Sequence, residues 1–289
     1  MDFPCSAWRL DPQTPATHGR FVMSADTNGM PFSAPPRVGP NGRIWSFGYA
    51  SGSGQLWLYD LSPAGASQRV AAIEALNADL VHDFAVTERH LVFLLTPVPR
   101  KPGPAAANRA FMDQLQWHPD KPAWVVVVNK ACPQVTPRVE LPNLFAFHFG
   151  NAWVDGDRLS LEVVRSAGFD AVMNTLLRAT AGEPGAARLA QRPVKLQLNL
   201  RSSHLQLVDL PLAGGDFPCH DRRDTGLRTS TLQMLGHDEQ LPQGALASTP
   251  CSGWAAAASR SPVSATARRC WPRSTCWCGA PAGPKEPAG

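Results

Sequence analysis

Two of the eight histidines in this 289-residue chain sit where an imidazole could do chemistry. His82 lies in Leu80-Val81-His82-Asp83-Phe84, and His148 in Phe145-Ala146-Phe147-His148-Phe149. A histidine among apolar and aromatic strand residues must satisfy two ring nitrogens, by a hydrogen bond, a metal ion or both. The chemistry on offer is therefore structural hydrogen bonding or metal ligation, and the residues alone leave both open. His18, His90, His118, His204, His220 and His237 lie in polar or turn-like sequence and read as surface residues. Nucleophile elbows, phosphate-binding loops, dinucleotide fingerprints and the H-E-x-x-H zinc motif are absent from the sequence. Four of the seven cysteines (Cys251, Cys270, Cys276 and Cys278) crowd into the final stretch, but Cys276-Trp277-Cys278 lacks the gap of a usual zinc chelate.

The elements that must position these residues read as short strands. A content of 28 Pro and 23 Gly at 44% hydrophobic residues excludes global disorder and disfavours a helical bundle. Apolar runs of strand length recur between turn signals: 43–49 with 55–61, 82–86 with 90–96, 124–129, 144–154 with 158–164, and 194–200 with 204–210. Asp155-Gly156 predicts a type I′ hairpin, in which both central residues take positive φ. Helical interruptions are predicted at 105–115 and 169–180. The fold class is thus all-β, a sandwich, barrel or propeller, with short helical insertions.

The longest apolar run, Leu91 to Val98, is strand-sized, and Met1 to Leu10 lacks the basic flank and apolar run of a leader. The expectation is a chain without a membrane span in a reducing, cytoplasmic compartment. Near Gly244 the composition changes, which divides the chain into a β domain over 1–246 and a segment over 247–289. That segment has Val263 as its only branched aliphatic residue and is otherwise rich in Ala, Ser, Pro, Arg, Cys and Trp. It reads as an irregular tail, either a disordered basic extension or the product of a shifted reading frame. Its Arg260, Arg268, Arg269, Arg273 and Lys285 against Glu286 account for the whole net charge of +4. Positions 1–250 are formally neutral, and no nucleic-acid partner is expected.

Longer motifs carry a family resemblance. His82-Asp83-Phe84-Ala85-Val86-Thr87-Glu88, followed by Val92-Phe93, resembles the "HDFAxTE…VF" element of the carotenoid cleavage oxygenases, which include apocarotenoid and lignostilbene dioxygenases. Phe147-His148-Phe149-Gly150-Asn151-Ala152-Trp153, with Asp155-Gly156-Asp157, resembles "FHxxNAxexGD". Phe32 to Val38 with Phe47-Gly48-Tyr49 is similar to "TAHPKvdp…FGY", and Asp216-Phe217-Pro218 to "EFPxi". The four matches fall in the family's order.

The resemblance implies a seven-bladed β-propeller, of which this chain carries part. It implies one non-haem Fe(II) held by four histidines from different blades, with His82 and His148 as two of them. No organic cofactor and no catalytic side chain beyond the metal ligands is implied. The reaction is cleavage by O2 of a conjugated C=C bond in an apolar polyene or stilbene-like substrate, giving carbonyl products. The family's tunnel mouth also implies peripheral contact with a membrane. Three departures stand out. Pro35 occupies the position of the first histidine ligand and offers no side-chain donor. The fourth histidine belongs in the region that the altered tail replaces. Asp216 stands for a glutamate that orients an imidazole and, one methylene shorter, is expected to reach less well. The reading is an Fe(II)-dependent dioxygenase; the alternative is a non-catalytic, truncated propeller that binds an apolar ligand or a membrane surface.

Overall fold

Aromatic and β-branched runs separated by Gly and Pro turns fold as antiparallel meanders, as such sequences do when each strand buries one or both faces. A computed structural model describes residues 6–75, 79–103, 110–133, 138–183, 191–212, 214–236 and 251–255. A hairpin of β1 (Trp8–Leu10) and β2 (Thr17–Arg20) precedes four sheets. The first comprises β3 (Arg37–Val38), β4 (Ile44–Tyr49), β5 (Gln55–Leu61) and β6 (Ser67–Glu74); the second β7 (Ala85–Val86), β8 (His90–Leu95), β9 (Ala123–Asn129) and β10 (Val139–Leu141). The third comprises β11 (Phe149–Asp155), β12 (Arg158–Arg165), β13 (Arg192–Asn199) and β14 (Leu205–Asp209). The fourth is β15 (Gly215–Cys219), β16 (Thr231–Gly236) and β17 (Cys251–Ala255). Each sheet pairs its strands in chain order, as propeller blades do. The all-β expectation holds; the described residues supply four such sheets and no closed ring of seven.

The run Val125-Val126-Val127-Val128 shows why the sheets stack. Val125 and Val127 join the apolar layer shared with Leu159, Leu161 and Leu196 of the third sheet. Val126 and Val128 face the opposite way, into a layer with Phe47, Leu56 and Phe93. Strand β9 is thus buried on both faces, which explains its unbroken apolar sequence. Gly48 of the Phe-Gly-Tyr motif has a local reason too, because a Cβ there would lie 1.8 Å from the Pro31 carbonyl oxygen. Tyr59 donates its hydroxyl to that same oxygen at 2.5 Å.

Several expectations are refined. The predicted helix over 169–180 is α1 (Phe169–Thr180). Of the other, only Phe111–Gln114 is helical, as a 3₁₀ turn, and 104–109 fall outside the described residues. The hairpin at Asp155-Gly156 forms with Asp155 paired to Arg158, but of its two loop residues only Gly156 has positive φ, so it is not the type I′ turn. The expectation of an irregular tail fails at Cys251–Ala255, which pairs with β16 in register Leu235 to Cys251. The free edge of β16 offers a ladder of backbone donors and acceptors that even an Ala- and Ser-rich segment can complete. Cys270, Cys276 and Cys278 lie outside the described residues.

Candidate metal centre

Both singled-out histidines lie at strand entries rather than within strands. His82 lies three residues before the first residue of β7, and His148 immediately precedes β11. The expectation of strand histidines is corrected on this point: at an entry the side chain is free of the inter-sheet layer and can meet a neighbour from another sheet. The two imidazoles do meet, with ring centroids 5.1 Å apart and planes inclined at 73°. Phe147 closes one side, its ring 4.9 Å from that of His82, and Phe217 lies 4.8 Å from His148.

His148 is oriented by Asp216, with Nδ1 2.9 Å from Oδ1. That carboxylate also accepts the Phe217 N–H at 2.8 Å and the Gln191 side-chain amide at 2.6 Å. Burial opposes its charge, but the hydrogen bonds, first that of His148, outweigh burial and hold the Asp216 pKa below the usual carboxylate value. An ionised carboxylate can only accept, so Nδ1 of His148 carries a proton, and the tautomer this selects has its lone pair on Nε2. A histidine prepared to ligate through Nε2 is arranged in this way. The shorter Asp side chain therefore does reach, contrary to expectation. The β15–β16 register shifts between Asp216 and Cys219, and Phe217 takes a φ of 54°, so the backbone carries the carboxylate to the ring. A non-glycine residue in that region costs about 1–2 kcal/mol.

His82 makes no hydrogen bond to the described residues. Its side chain is exposed at one edge, yet desolvation by the surrounding protein, and then the neighbouring His148, lower its pKa from the ordinary value. A neutral imidazole with unassigned nitrogens beside a second with a free Nε2 fits a divalent cation as two of its ligands. Among the described residues no group of three or more His, Cys, Asp or Glu gathers around a common point.

The first-sheet segment reaches the site through Arg37, two residues beyond Pro35. The Arg37 guanidinium donates to the Phe84 carbonyl at 2.9 Å, to Asp83 at 2.5 Å and to the Phe149 carbonyl at 2.9 Å. Asp83 in turn accepts the Phe149 N–H at 2.8 Å and the Phe84 N–H at 2.8 Å. Asp83 and Phe149 are the residues directly after His82 and His148, so Arg37 is tied to the backbone beside both imidazoles. Sequence reasoning missed Arg37, Asp83 and Gln191; the one local signal was an acid adjoining a singled-out histidine. It also misplaced His220, which is partly buried rather than superficial. The loop after β15 folds back, with Gly226 N–H donating to Asn151 at 3.0 Å, and covers the ring. Burial, and then Arg37, push the His220 pKa down to about 4. Its Nε2 lies 3.1 Å from the Thr225 hydroxyl, and its Nδ1 is buried without a partner among the described residues.

Residues 5–281 match the family model described as retinal pigment epithelial membrane protein. The chain belongs to this family, that of the carotenoid cleavage oxygenases. Its relatives include the carotenoid 9,10(9′,10′)-cleavage dioxygenase 1 of Phaseolus vulgaris, 26% identical over 68% of this chain and 36% of the relative. They include the apocarotenoid-15,15′-oxygenase of Synechocystis, 28% identical over 54% and 34%, and the isoeugenol monooxygenase of Pseudomonas putida, 26% identical over 55% and 34%. A solved variant of the Synechocystis apocarotenoid oxygenase superposes with a TM-score of 0.67 at 20% identity, covering 83% of this chain and 52% of that one. A cobalt-substituted form of the same enzyme superposes with a TM-score of 0.65 at 19% identity. This carotenoid cleavage oxygenase chain spans about a third of the length of the curated relatives it matches and half that of the solved structures.

Proposed function

We propose that His82 and His148 are two ligands of an Fe(II) centre and that the chain is by descent a dioxygenase cleaving a conjugated C=C bond. The observation that carries this reading is the convergence of the two imidazoles with Asp216 fixing the tautomer of one. When bound, Fe(II) supplies the O2 chemistry that turns the double bond into two carbonyl groups. The protein's part is positioning and desolvation. Asp216 holds the His148 proton on Nδ1, and Gln191 holds the carboxylate. Phe147 and the exposed Phe217 offer flat apolar surface beside the imidazoles, suited to a carotenoid, an apocarotenoid or a stilbene-like molecule. Peripheral contact with a membrane, the store of such substrates, and a cytoplasmic location belong to the same proposal.

The test is iron stoichiometry and O2-dependent loss of polyene or stilbene absorbance, with protein purified anaerobically under reducing conditions. Binding of iron that His148→Ala abolishes is the expected result, and absence of bound iron overturns the reading. The second reading, a non-catalytic chain that holds an apolar ligand, is favoured by Pro35 and by the absence of a third ligating side chain among the described residues. Polyene binding without iron or turnover would select it. Restoring the donor with Pro35→His is expected to raise iron affinity; no change would show that Pro35 does not face the two imidazoles.

A further inference from the structure

The two imidazoles come from segments 66 residues apart, and neither is bonded to the other. What joins those segments lies one residue further on. Arg37, from the first sheet, spans the Phe84 carbonyl and Asp83 at the entry to the second sheet and the Phe149 carbonyl of the third. Asp83 closes the loop by accepting the Phe149 N–H. The side chains of Arg37 and Asp83 are 15% and 3% exposed, so these charged hydrogen bonds are formed largely out of water, where they are strongest.

We infer that Arg37 is a positioning residue of the metal centre: by tying Asp83 and Phe149 it fixes the separation of the imidazoles that precede them. This rests on the proposed metal reading for its consequence, but not for its geometry. The guanidinium fork suits the task because one planar group meets three acceptors in two chain segments; a lysine ammonium, a single point charge, would not span all three. Phe149 has no side-chain polar atom, so its tie to Asp83 and Arg37 is wholly through its backbone, which transmits directly to the adjoining His148. The clamp thereby acts on ligand spacing without touching metal or substrate.

The test uses the full chain and three variants, Arg37→Met, Arg37→Lys and Arg43→Met. Arg43→Met is the control, since it breaks a bidentate Arg–Asp pair of the same kind, to the 4% exposed Asp60, within the first sheet. Two readouts are taken: Co(II) titration followed by its visible absorption bands, and the nuclear Overhauser effect between the His82 and His148 rings in histidine-labelled protein. The expected result is a loss of Co(II) affinity of about 10- to 100-fold and an altered band pattern in Arg37→Met, the usual range for outer partners of a metal site. The inter-ring effect should weaken in the same variant, Arg37→Lys should fall between, and Arg43→Met should match wild type in both. Unchanged inter-ring contact in folded Arg37→Met, or equal losses in Arg43→Met, would overturn the clamp. If wild type binds no Co(II), the metal reading fails while the inter-ring effect still decides the clamp. If Arg37→Met does not fold, Arg37→Lys decides by the same two readouts.

Discussion

The two ends of the central strands both hold a cation against backbone carbonyls, and they treat its charge differently. At the histidine end Arg37 meets two carbonyls and also the carboxylate of Asp83. At the other end a cavity of about 610 Å³ is lined by residues including Arg43, Trp45, Thr87, Glu88, Lys130 and Leu227. There Lys130 donates to the Thr87 carbonyl at 2.5 Å and the Glu88 carbonyl at 3.3 Å, and lies 4.6 Å from the Trp45 ring centre. Its direct partners among the described residues are dipoles and a π face, while the carboxylates of Asp60 and Glu88 act on it only from further off. Burial accordingly pushes its pKa down to about 8. The difference teaches that a buried lysine held directly by dipoles carries a charge that depends on pH, whereas the guanidinium at the histidine end, which no protein deprotonates, is held by a carboxylate as well. A third case lies between the ends. Glu162 of β12 is fully buried, accepts the Asn151 N–H at 3.2 Å, and leaves its other oxygen without a partner among the described residues. Burial raises its pKa to about 7, against the hydrogen bond from the Asn151 N–H and then the charge of Lys195.

The sharpest way to break the comparison is to remove the anion from the histidine end. Asp83→Ala strands the Arg37 charge and is expected to cost about 3–5 kcal/mol in denaturant unfolding at pH 7. A loss below about 1 kcal/mol would mean that the pair has no special standing. Next is Glu162→Gln. The folded carboxyl titrates near 7 and the unfolded one near 4.5, so wild type loses stability as pH rises across that window and the deficit persists above it. The amide does not titrate. It should be more stable than wild type at pH 8 by on the order of 3 kcal/mol, with the gap closing toward pH 4.5. Equal pH profiles for the two proteins would remove this third case. At pH 7 the smallest effect is expected at the far end. Lys130→Met keeps the apolar stem over Trp45 and should change stability at pH 7 by about 1 kcal/mol or less. Because the folded pKa lies below the unfolded one, stability rises with pH between about 8 and 10.5, so wild type should gain on Lys130→Met across that range. Melting curves taken at pH 7, 9 and 10.5 test the sign.

Much of the fold was legible because strand signals are local. Val125 to Val128 announced a strand buried on both faces, and the apolar runs flanking Asp155-Gly156 marked a hairpin. The site was legible in part. His82 and His148 were conspicuous by their apolar neighbours, and Asp216 by its motif. Arg37 was not, because nothing beside it in sequence distinguishes a clamp from a surface arginine. His220 was misread for the same reason, its cover coming from a loop that folds back onto Asn151.

The sequence by itself determined where strands and chain reversals fall and which two imidazoles adjoin apolar residues, since alternation and turn chemistry act over a few residues. Only the tertiary structure decided what those imidazoles face. Asp83 meets Arg37 across 46 residues and Phe149 across 66, and His148 meets Asp216 across 68. Contacts at such separations follow from how whole sheets stack. A side chain's own neighbours in sequence carry no record of that stacking, and so none of the partners that fix charge, tautomer and spacing at this site.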